Sequence, residues 1–302
     1  MIPRVASFAI SEQMIDAALR AQSVMANDQL QEASGQISTE FGGLGSTTRQ
    51  VLDLQVATTR AQSYIDNATA ADSKIQVMYS TMGSVSSILA QFRSTLASYN
   101  SSMTDTSSIT TSAKQMMQEL GSLLNTQYAG GYLFSGSRVD TAPVDLSSSV
   151  YPPAYSPSSP DTSYYQGDSA TASVRVSATQ VVSYGVTADN SAFEQGLRAL
   201  NLIASSGSLN SATVNEAMAL AENAVKSVGS LQAQVGQASS AIESASALQT
   251  QFKSDMTTVA GNLTGVDVAA VTAQLSTYQA QLTASYAAIS KVQSLNLANY
   301  LR

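Results

Sequence analysis

Four aspartates are the residues of this chain whose types and positions could most readily support chemistry. Asp140, Asp145, Asp161 and Asp168 flank a segment with β-like alternation. Two carboxylates that converge in a cleft could act as a general acid and a general base. Aspartates in loops more often cap turns by accepting hydrogen bonds from nearby backbone N–H groups. We therefore interpret all four as turn residues and predict no catalytic residue.

The composition removes most other kinds of active site. The chain contains no Cys and no His, so it can form neither a Ser-His-Asp nor a Cys-His site and lacks the commonest metal ligands. Gly42, Gly43 and Gly45 do not follow a predicted strand and lack the Lys of a phosphate-binding loop. The sequence therefore predicts a protein that is not an enzyme, with no cofactor and no metal.

The charge balance also restricts the partners. Lys+Arg 14 against Asp+Glu 21 gives a net charge of −7, which disfavours nucleic acid and anionic membranes. Only 12% of residues are charged, about half the usual share of roughly 25%. A polar but weakly charged surface repels its neighbours little, as expected if copies of the chain cover one another. No apolar run approaches the roughly 20 residues of a membrane span, and the N-terminus lacks the pattern of a cleavable signal peptide.

A seven-residue repeat of apolar positions runs through the first half of the chain. Steps of three and four residues alternate, which keeps one stripe facing a partner helix as the two supercoil. A helix over this stripe would be about 75 Å long, too long for the core of a compact domain. The stripe consists of Leu54, Ala57, Ala61, Tyr64, Ala68, Ala71, Ile75, Met78, Met82, Val85, Leu89, Phe92, Leu96, Tyr99 and Met103.

A matching stripe runs through the second half of the chain. Only Gln249 interrupts its apolar pattern, and its length equals that of the first stripe. We infer that the two stripes pack against each other, with the chain doubling back between them. The second stripe consists of Val214, Ala217, Ala221, Ala224, Val228, Leu231, Val235, Ala238, Ile242, Ala245, Gln249, Phe252, Met256, Val259 and Leu263.

Both chain ends carry shorter stripes. One is formed by Ile10, Met14, Ala17, Ala21 and Val24, and the other begins at Val268 after Gly261 and Gly265. Glycines between Gly35 and Gly45 interrupt the helices near the N-terminus. Paired with each other, the ends would leave apolar surface over, which marks an interface. The predicted assembly interface comprises Ile10, Met14, Val24, Val268, Val271, Leu275, Tyr278, Leu282, Ile289, Val292, Leu295, Leu297, Tyr300 and Leu301.

The middle of the chain has a different character. Five of the six prolines lie between Pro143 and Pro160, and a helix cannot continue through them. Alternation and β-branched residues predict strands at 131–134, 172–177 and 180–186. The helical pattern resumes at Ser191, and Glu194 three residues later predicts a capping box.

These patterns predict a mainly α protein: an elongated antiparallel coiled-coil or helical-bundle rod with a small β-rich insertion domain in the middle of the chain. The N-terminal polymerisation helix and turn would occupy 1–45, and core rod helices 46–130. The β-rich insertion would span 131–190, and returning core helices 191–262. The C-terminal polymerisation helix would occupy 263–302.

The layout resembles the bacterial flagellin family. The similar segments are the run from Gly131 to Pro143, Tyr165–Asp168, Phe193-Glu194 at the return helix, and the C-terminal runs 266–275 and 284–301. Family members pair helical N- and C-terminal ends and carry a variable β-rich insertion between long core helices. The resemblance therefore implies a structural subunit of the bacterial flagellum.

The resemblance also implies partners and a location. It implies a homo-oligomer that contacts a neighbouring hook-associated protein and flagellin, with an export chaperone on the C-terminal helix. It implies export by the flagellar type III apparatus to the extracellular flagellum. The run 131–143 is similar to members that join the hook to the filament. A filament flagellin stays open as the alternative, because the segment 39–49 lacks the acidic turn common in junction members.

Two other classes of protein can be distinguished by experiment. A type III needle-tip or adhesin-like rod would bind a host ligand through the insertion around 143–190. An enzyme, the least favoured class, would lose a reproducible activity on mutation of Asp168 or Asp140.

Overall fold

The computed structural model describes residues 2–102 and 106–294, with side-chain surroundings for 12–99 and 106–291. Helices dominate these residues, and two small antiparallel sheets lie in the middle of the chain. The helices are α1 (Ile2–Ser34), a 3-10 helix (Phe41–Thr47), α2 (Thr48–Ser102), α3 (Thr106–Leu124), α4 (Ser191–Ala204), α5 (Ser211–Thr264) and α6 (Val268–Ser294). The strands are β1 (Gln127–Tyr128), β2 (Gly131–Tyr132), β3 (Ser173–Arg175) and β4 (Val181–Ser183).

The chain forms two compact units, which are described separately. The central unit comprises Arg60–Phe252, and the terminal unit comprises Met1–Thr59 with Lys253–Arg302. The predicted mainly α class, with a small β region in the middle of the chain, is confirmed. The five predicted segment boundaries describe stretches of sequence rather than compact units, and they stay a prediction.

The central unit is organised around α2 and α5. Ser239 Oγ donates a hydrogen bond to Asp72 Oδ1 (2.5 Å), and Gln232 Nε2 donates one to the Tyr79 carbonyl oxygen (3.2 Å). Residue numbers fall along α5 as they rise along α2, so the helices are antiparallel, as predicted. The fully or nearly fully buried stripe positions are Ala61, Ala68, Ala71, Ile75, Met78, Met82, Val85, Leu89, Phe92 and Leu96 on α2, and Val214, Ala217, Ala221, Ala224, Val228, Val235, Ile242 and Ala245 on α5. Met103 lies outside the described residues.

The core widens where α3 and α4 pack against each other beside these helices. A Cβ atom on Gly196 of α4 would lie 3.0 Å from Leu89 Cδ2, so a larger residue would force Leu89 to move. Phe134 and Phe193 meet edge to face at 5.8 Å between ring centroids. This contact anchors the segment after β2 to the first turn of α4, and both rings are fully buried.

The β region is less regular than the sequence predicts. The segment predicted as a strand at 131–134 forms only β2, which pairs with β1, a strand that the sequence analysis missed. Phe134 is buried in the core instead of extending the strand. The other two predicted strands are present in shortened form as β3 and β4, paired with Val174 opposite Val182.

The capping residue at the N-terminus of α4 differs from the predicted one. The helix begins at Ser191 as predicted, but the capping residue is Asn190, whose Oδ1 accepts a hydrogen bond from Ala192 N (3.0 Å). The predicted capping box is wrong, because Glu194 is engaged elsewhere. Its carboxylate pairs with Arg198, with Nε 2.9 Å from Oε1. Asparagine caps helices as well as serine does, so local sequence does not decide between the two positions.

In the terminal unit α1 packs against α6. The loops beside them are joined by backbone hydrogen bonds, from Ile37 N to the Thr264 oxygen (2.7 Å) and from Val266 N to the Gly35 oxygen (3.0 Å). Because the end of α1 lies beside the start of α6, the two helices are antiparallel. Gly35 ends α1 with a φ of 67°, which favours glycine, so the predicted break there is confirmed. Gly261, predicted as a second break, lies within α5.

Candidate assembly surface

Three of the four predicted aspartates, Asp145, Asp161 and Asp168, accept backbone hydrogen bonds in turns, and the turn role of Asp140 stays a prediction. Asp168 Oδ1 accepts hydrogen bonds from the backbone N–H groups of Ser137 (2.8 Å) and Ala170 (3.0 Å), and Oδ2 accepts one from the Ser137 hydroxyl. The Ser137 hydroxyl, followed by these two N–H groups, lowers the pKa of the Asp168 carboxyl. Asp145 Oδ1 accepts from Ser147 N (2.9 Å) in the same manner. These are the turn roles that the sequence analysis favoured.

A buried ion pair fastens the proline-rich segment to α4. Besides pairing with Arg198, Glu194 Oε1 accepts a hydrogen bond from Asp161 N (3.1 Å). Arg198 Nη1 donates a hydrogen bond to the Ser158 hydroxyl (3.3 Å). Ser158 in turn donates to Glu216 Oε1 of α5 through its backbone N (2.8 Å) and its Oγ (2.5 Å). Sequence analysis missed this network, although the spacing of four residues between Glu194 and Arg198 is a usable signal for a helical ion pair.

Burial and hydrogen bonding act in opposite directions on Glu216. Burial raises the pKa of its carboxyl, but hydrogen bonds from Ser156 and Ser158, with the nearby Arg198 charge, outweigh that effect, so the pKa is lowered. The network holds loop, α4 and α5 together by charge-assisted hydrogen bonds. Its charged groups are engaged in hydrogen bonds within the network, so they form a structural contact.

Tyrosines complete this part of the central unit. Tyr151 and Tyr164 meet edge to face, with ring centroids 5.3 Å apart. The Tyr164 hydroxyl donates a hydrogen bond to the Ala188 oxygen (2.9 Å). Burial raises the pKa of both phenols above the ordinary tyrosine value. A cavity of about 280 Å³ lies between Tyr155 and Asn201. Among the described residues, no cluster of three acidic side chains is arranged to hold a metal ion.

The predicted assembly residues on α6 whose side chains are described divide into three groups. Val271, Leu275 and Leu282 are buried inside the terminal unit. Tyr278 and Ile289 are half-buried, and the remaining position, Val268, is exposed at the start of the helix. Much of this stripe therefore serves the contact with α1 within one chain. Whether it also contacts other molecules stays a prediction.

The predicted residues on α1 lie less regularly. Met14 is half-buried, and Val24 is exposed. Among the side chains described for α1, from residue 12 onward, Ala18 is the buried apolar one and Ala21 and Met25 are half-buried. The face of α1 that packs on α6 therefore differs in frame from the predicted stripe. For Ile10 and Val292 only the helical backbone is described. Leu295, Leu297, Tyr300 and Leu301 lie outside the described residues.

Large apolar side chains remain exposed on the terminal unit. Ile15, Leu19 and Leu30 of α1 are 40%, 58% and 67% exposed, and Leu52 and Val56 at the start of α2 are exposed as well. None of these five residues belongs to a predicted heptad stripe, so the periodicity of the sequence did not indicate them. Contiguous exposed apolar patches on soluble proteins are common sites of contact with other proteins. No helix in the described part of the chain is both long and apolar enough to cross a membrane.

Comparisons with known protein families match the N-terminal and C-terminal parts of the chain. The N-terminal helical region of bacterial flagellin matches residues 5–139, and the C-terminal helical region of bacterial flagellin matches residues 218–301. Together the two matches span more than two thirds of the chain. The chain therefore belongs to the bacterial flagellin family, whose members are structural, non-enzymatic components of the flagellum. A search among curated proteins found no match.

The solved structures that this chain matches include proteins from three bacteria. A flagellar hook-associated protein from Vibrio parahaemolyticus matches with a TM-score of 0.63 and 21% identity, covering 75% of this chain and 99% of its own. FlgL from Bacillus cereus has a TM-score of 0.39 and 13% identity, covering 81% and 98%. Hook-associated protein 3 from Legionella pneumophila has a TM-score of 0.40 and 14% identity, covering 80% and 99%.

Proposed function

We propose that this chain is the subunit that joins the hook to the filament of a bacterial flagellum, by self-assembly and by helix packing with a neighbouring hook-associated protein and flagellin. The observation that carries the proposal is the terminal unit. Both chain ends match flagellin regions and form one antiparallel helix pair that still exposes large apolar side chains. Such a unit gains buried apolar area only by packing on other molecules.

Two observations favour the hook–filament junction as the place of this chain within the flagellum. The run from Gly131 to Pro143 is similar to junction members of the family, and the fold matches a hook-associated protein from V. parahaemolyticus along nearly the whole length of that protein. The alternative is a filament flagellin, main or minor. Its support is that both matched regions are those of flagellin itself.

The proposal includes a route to the site of assembly. The chain would be exported by the flagellar type III apparatus and act outside the cell. A chaperone would cover the C-terminal helix before export, since Val268 and Tyr286 on α6 are exposed even when α1 is in place. Residues 1–45 and 263–302 would be the polymerising segments.

Electron microscopy of cells that lack the protein tests the junction role. We expect hooks without filaments and flagellin shed into the medium. Cells that still carry complete filaments would contradict the proposal. Long homopolymers of the purified chain would favour a filament flagellin, whereas monomers or short oligomers favour the junction subunit.

Deleting residues 264–302 tests the terminal unit directly. The deletion removes α6 but no residue of the central unit, so we expect the central unit to unfold at an unchanged denaturant concentration while assembly is lost. Circular dichroism measures the first and sedimentation the second. A truncated chain that still assembles would refute this assignment of the polymerising segment.

A further inference from the structure

The cavity between Tyr155 and Asn201 is formed by the central unit alone. Its walls combine the proline-rich segment from Tyr151 to Asp161 with the side chains of Arg198 and Asn201 on α4. Its volume of about 280 Å³ lies near the lower end, about 300 Å³, of the pockets that bind small molecules. The cavity therefore suits one small ring-shaped molecule rather than an extended chain.

Hydrogen bonds hold the walls of the cavity in place. Asn201 Nδ2 donates to the Pro152 oxygen (2.9 Å), and Asp161 N donates to Glu194 Oε1 (3.1 Å). Between these points the segment is fixed by the contacts of Ser158 described above. A wall that is already ordered loses little conformational freedom when a ligand binds, which favours affinity.

Charge restricts the class of ligand that the cavity accepts. The carboxylates of Asp161, Glu194 and Glu216 lie around the single guanidinium of Arg198, which is paired with Glu194 at 2.9 Å. The local excess of negative charge disfavours phosphates and carboxylates as ligands. A metal cation would lack oxygen ligands, because Glu194 and Glu216 are engaged in hydrogen bonds. The cavity therefore favours a neutral molecule.

Two polar groups of the lining have unused hydrogen-bonding capacity. Tyr151 is 4% exposed, and its hydroxyl has no hydrogen-bond partner among the described residues. Burial raises the pKa of this phenol, and the Asn201 side chain lies close enough to oppose the rise. Asp161 Oδ1 accepts a hydrogen bond from Ser163 N (2.8 Å), whereas no described residue donates to Asp161 Oδ2.

A ligand with several hydroxyl groups matches these two side chains. A buried phenol without a partner is costly, and a ligand hydroxyl would relieve that cost. Since a hydroxyl both donates and accepts, one such group can pair with the Tyr151 phenol while another donates to Asp161 Oδ2. An apolar ligand would leave both side chains without partners.

Tyr155 adds an aromatic surface at the edge of the cavity. Its side chain is 67% exposed although it lines the cavity wall. A pyranose sugar carries hydroxyls around its rim and C–H groups on its faces. It can therefore stack on an aromatic ring while its rim donates hydrogen bonds to polar groups beside that ring.

We propose that this cavity binds one neutral pyranose ring, with Tyr155 stacked on its C–H face and Asp161 accepting hydrogen bonds from its hydroxyls. The chain would thereby bind glycans that end in a neutral sugar, a function separate from its proposed place in the flagellum. All of the residues belong to the central unit, so binding needs no assembly.

Saturation-transfer NMR on the full-length chain tests the proposal. The ligands are the methyl glycosides of glucose, galactose, mannose and N-acetylglucosamine, with methyl glucuronide as a negatively charged sugar. We expect transfer to at least one neutral glycoside, and weaker binding of the glucuronide than of the best neutral one, because the glucuronide carries a carboxylate. No transfer to any neutral glycoside would overturn the proposal, as would a glucuronide that binds more tightly than all of them.

Substitutions in the lining locate the site. Tyr155→Ala removes the stacking ring, and Asp161→Asn replaces an acceptor oxygen by an amide donor, so each should weaken binding of the best glycoside about tenfold. Tyr155→Phe keeps the ring and should change the affinity less than about twofold. Tyr79→Ala is the control, because Tyr79 is also an exposed tyrosine of the central unit but does not line the cavity.

The variants should all be folded by circular dichroism. Tyr155 and Tyr79 are exposed, and Asp161→Asn retains the Oδ1 atom that accepts from Ser163 N. Affinity that is unchanged in either Tyr155→Ala or Asp161→Asn would overturn the proposed contacts. An equal loss in Tyr79→Ala would place the sugar elsewhere and overturn the site. None of these results bears on the flagellar role, which rests on the terminal unit.

Discussion

The central and terminal units of this chain use apolar residues in opposite ways. In the central unit many large side chains face inward, with Phe92, Phe134, Tyr164 and Phe193 fully buried, although Tyr155 and Leu248 stay exposed. In the described part of the terminal unit the buried apolar residues are fewer and smaller, while Leu19 and Leu30 stay exposed. The buried apolar residues there are Ala18, Leu44, Val51, Val271, Leu275 and Leu282.

The difference separates a unit that completes its own core from one that does not. Burial of apolar area is the main stabilising contribution to folding, and a helix pair with few buried side chains obtains little of it. The terminal unit also holds Asp28, which is 7% exposed and whose Oδ2 atom has no hydrogen-bond partner among the described residues. These features accord with the proposal that the terminal unit is stabilised by neighbouring molecules.

A matched pair of leucine substitutions gives the largest expected effect. Leu89→Ala in the central unit removes a fully buried side chain and should lower the free energy of unfolding by about 2–5 kcal/mol. Leu30→Ala in the terminal unit should change it by no more than about 0.5 kcal/mol, since Leu30 is mostly exposed. Urea unfolding of monomeric protein measures both. Equal losses of unfolding free energy in the two variants would contradict the difference between the two units.

Substitution of one glycine in each unit should give a smaller difference in stability. A Cβ atom on Gly185 would lie 2.1 Å from the Ala172 backbone N, where Gly185 N donates to the Ala172 oxygen (3.0 Å). Gly185→Ala should therefore cost about 1–3 kcal/mol. A Cβ atom on Gly42 of the terminal unit would meet no atom within 4 Å, so Gly42→Ala should be nearly neutral. Thermal unfolding of the two variants would show whether the close backbone approach at Gly185 costs stability that the open position of Gly42 does not.

The smallest expected effect is a loss of stability of the central unit at low pH. The pKa of Glu216 is lower in the folded chain than in the unfolded one, so its hydrogen bonds stabilise the central unit above about pH 4.3. That contribution is lost as the pH falls through the folded-state pKa. Ser158→Ala removes one donor to Glu216 and should reduce the stability difference between pH 7 and pH 3.

Ser159→Ala is the matched control for the acid experiment. Ser159 lies beside Ser158 in the chain, and among the described residues no hydrogen bond joins it to Glu216. Its substitution should leave the difference in urea midpoint between the two pH values unchanged. A control that behaves like Ser158→Ala would show that the acid response arises elsewhere in the central unit.

Sequence periodicity predicted the stripes within the central unit, because burial on a long helix repeats every three to four residues. It predicted which side chains of α2 and α5 face inward from Ala61 to Leu96 and from Val214 to Ala245. Beyond Ala245 the second stripe was predicted wrongly in part, because Phe252 and Val259 are exposed. Periodicity could not predict the register, because alanine-rich stripes fit one another at several offsets. The hydrogen bond from Ser239 to Asp72 and the one from Gln232 to Tyr79 define the register found.

In the β region, the contacts between side chains could not be predicted from the sequence. Prolines correctly indicated that helix stops there, but no local pattern indicated that Phe134 would leave the strand to meet Phe193. The ion pair of Glu194 with Arg198 reaches Ser158, which is remote in sequence. Contacts of this kind depend on side chains that only the folded chain brings together.

The amino-acid sequence by itself determined the helical class, the breaks near Gly35 and Gly265, the place of the β region and the lack of residues for common enzyme chemistry. The tertiary structure decided the capping residue of α4, the α2–α5 register and the face of α1 that packs on α6. The reason is physical: periodicity is a property of one helix, whereas burial is a property of two surfaces in contact. A helix such as α1, with apolar residues on more than one side, can be assigned its faces only when its partner is in place.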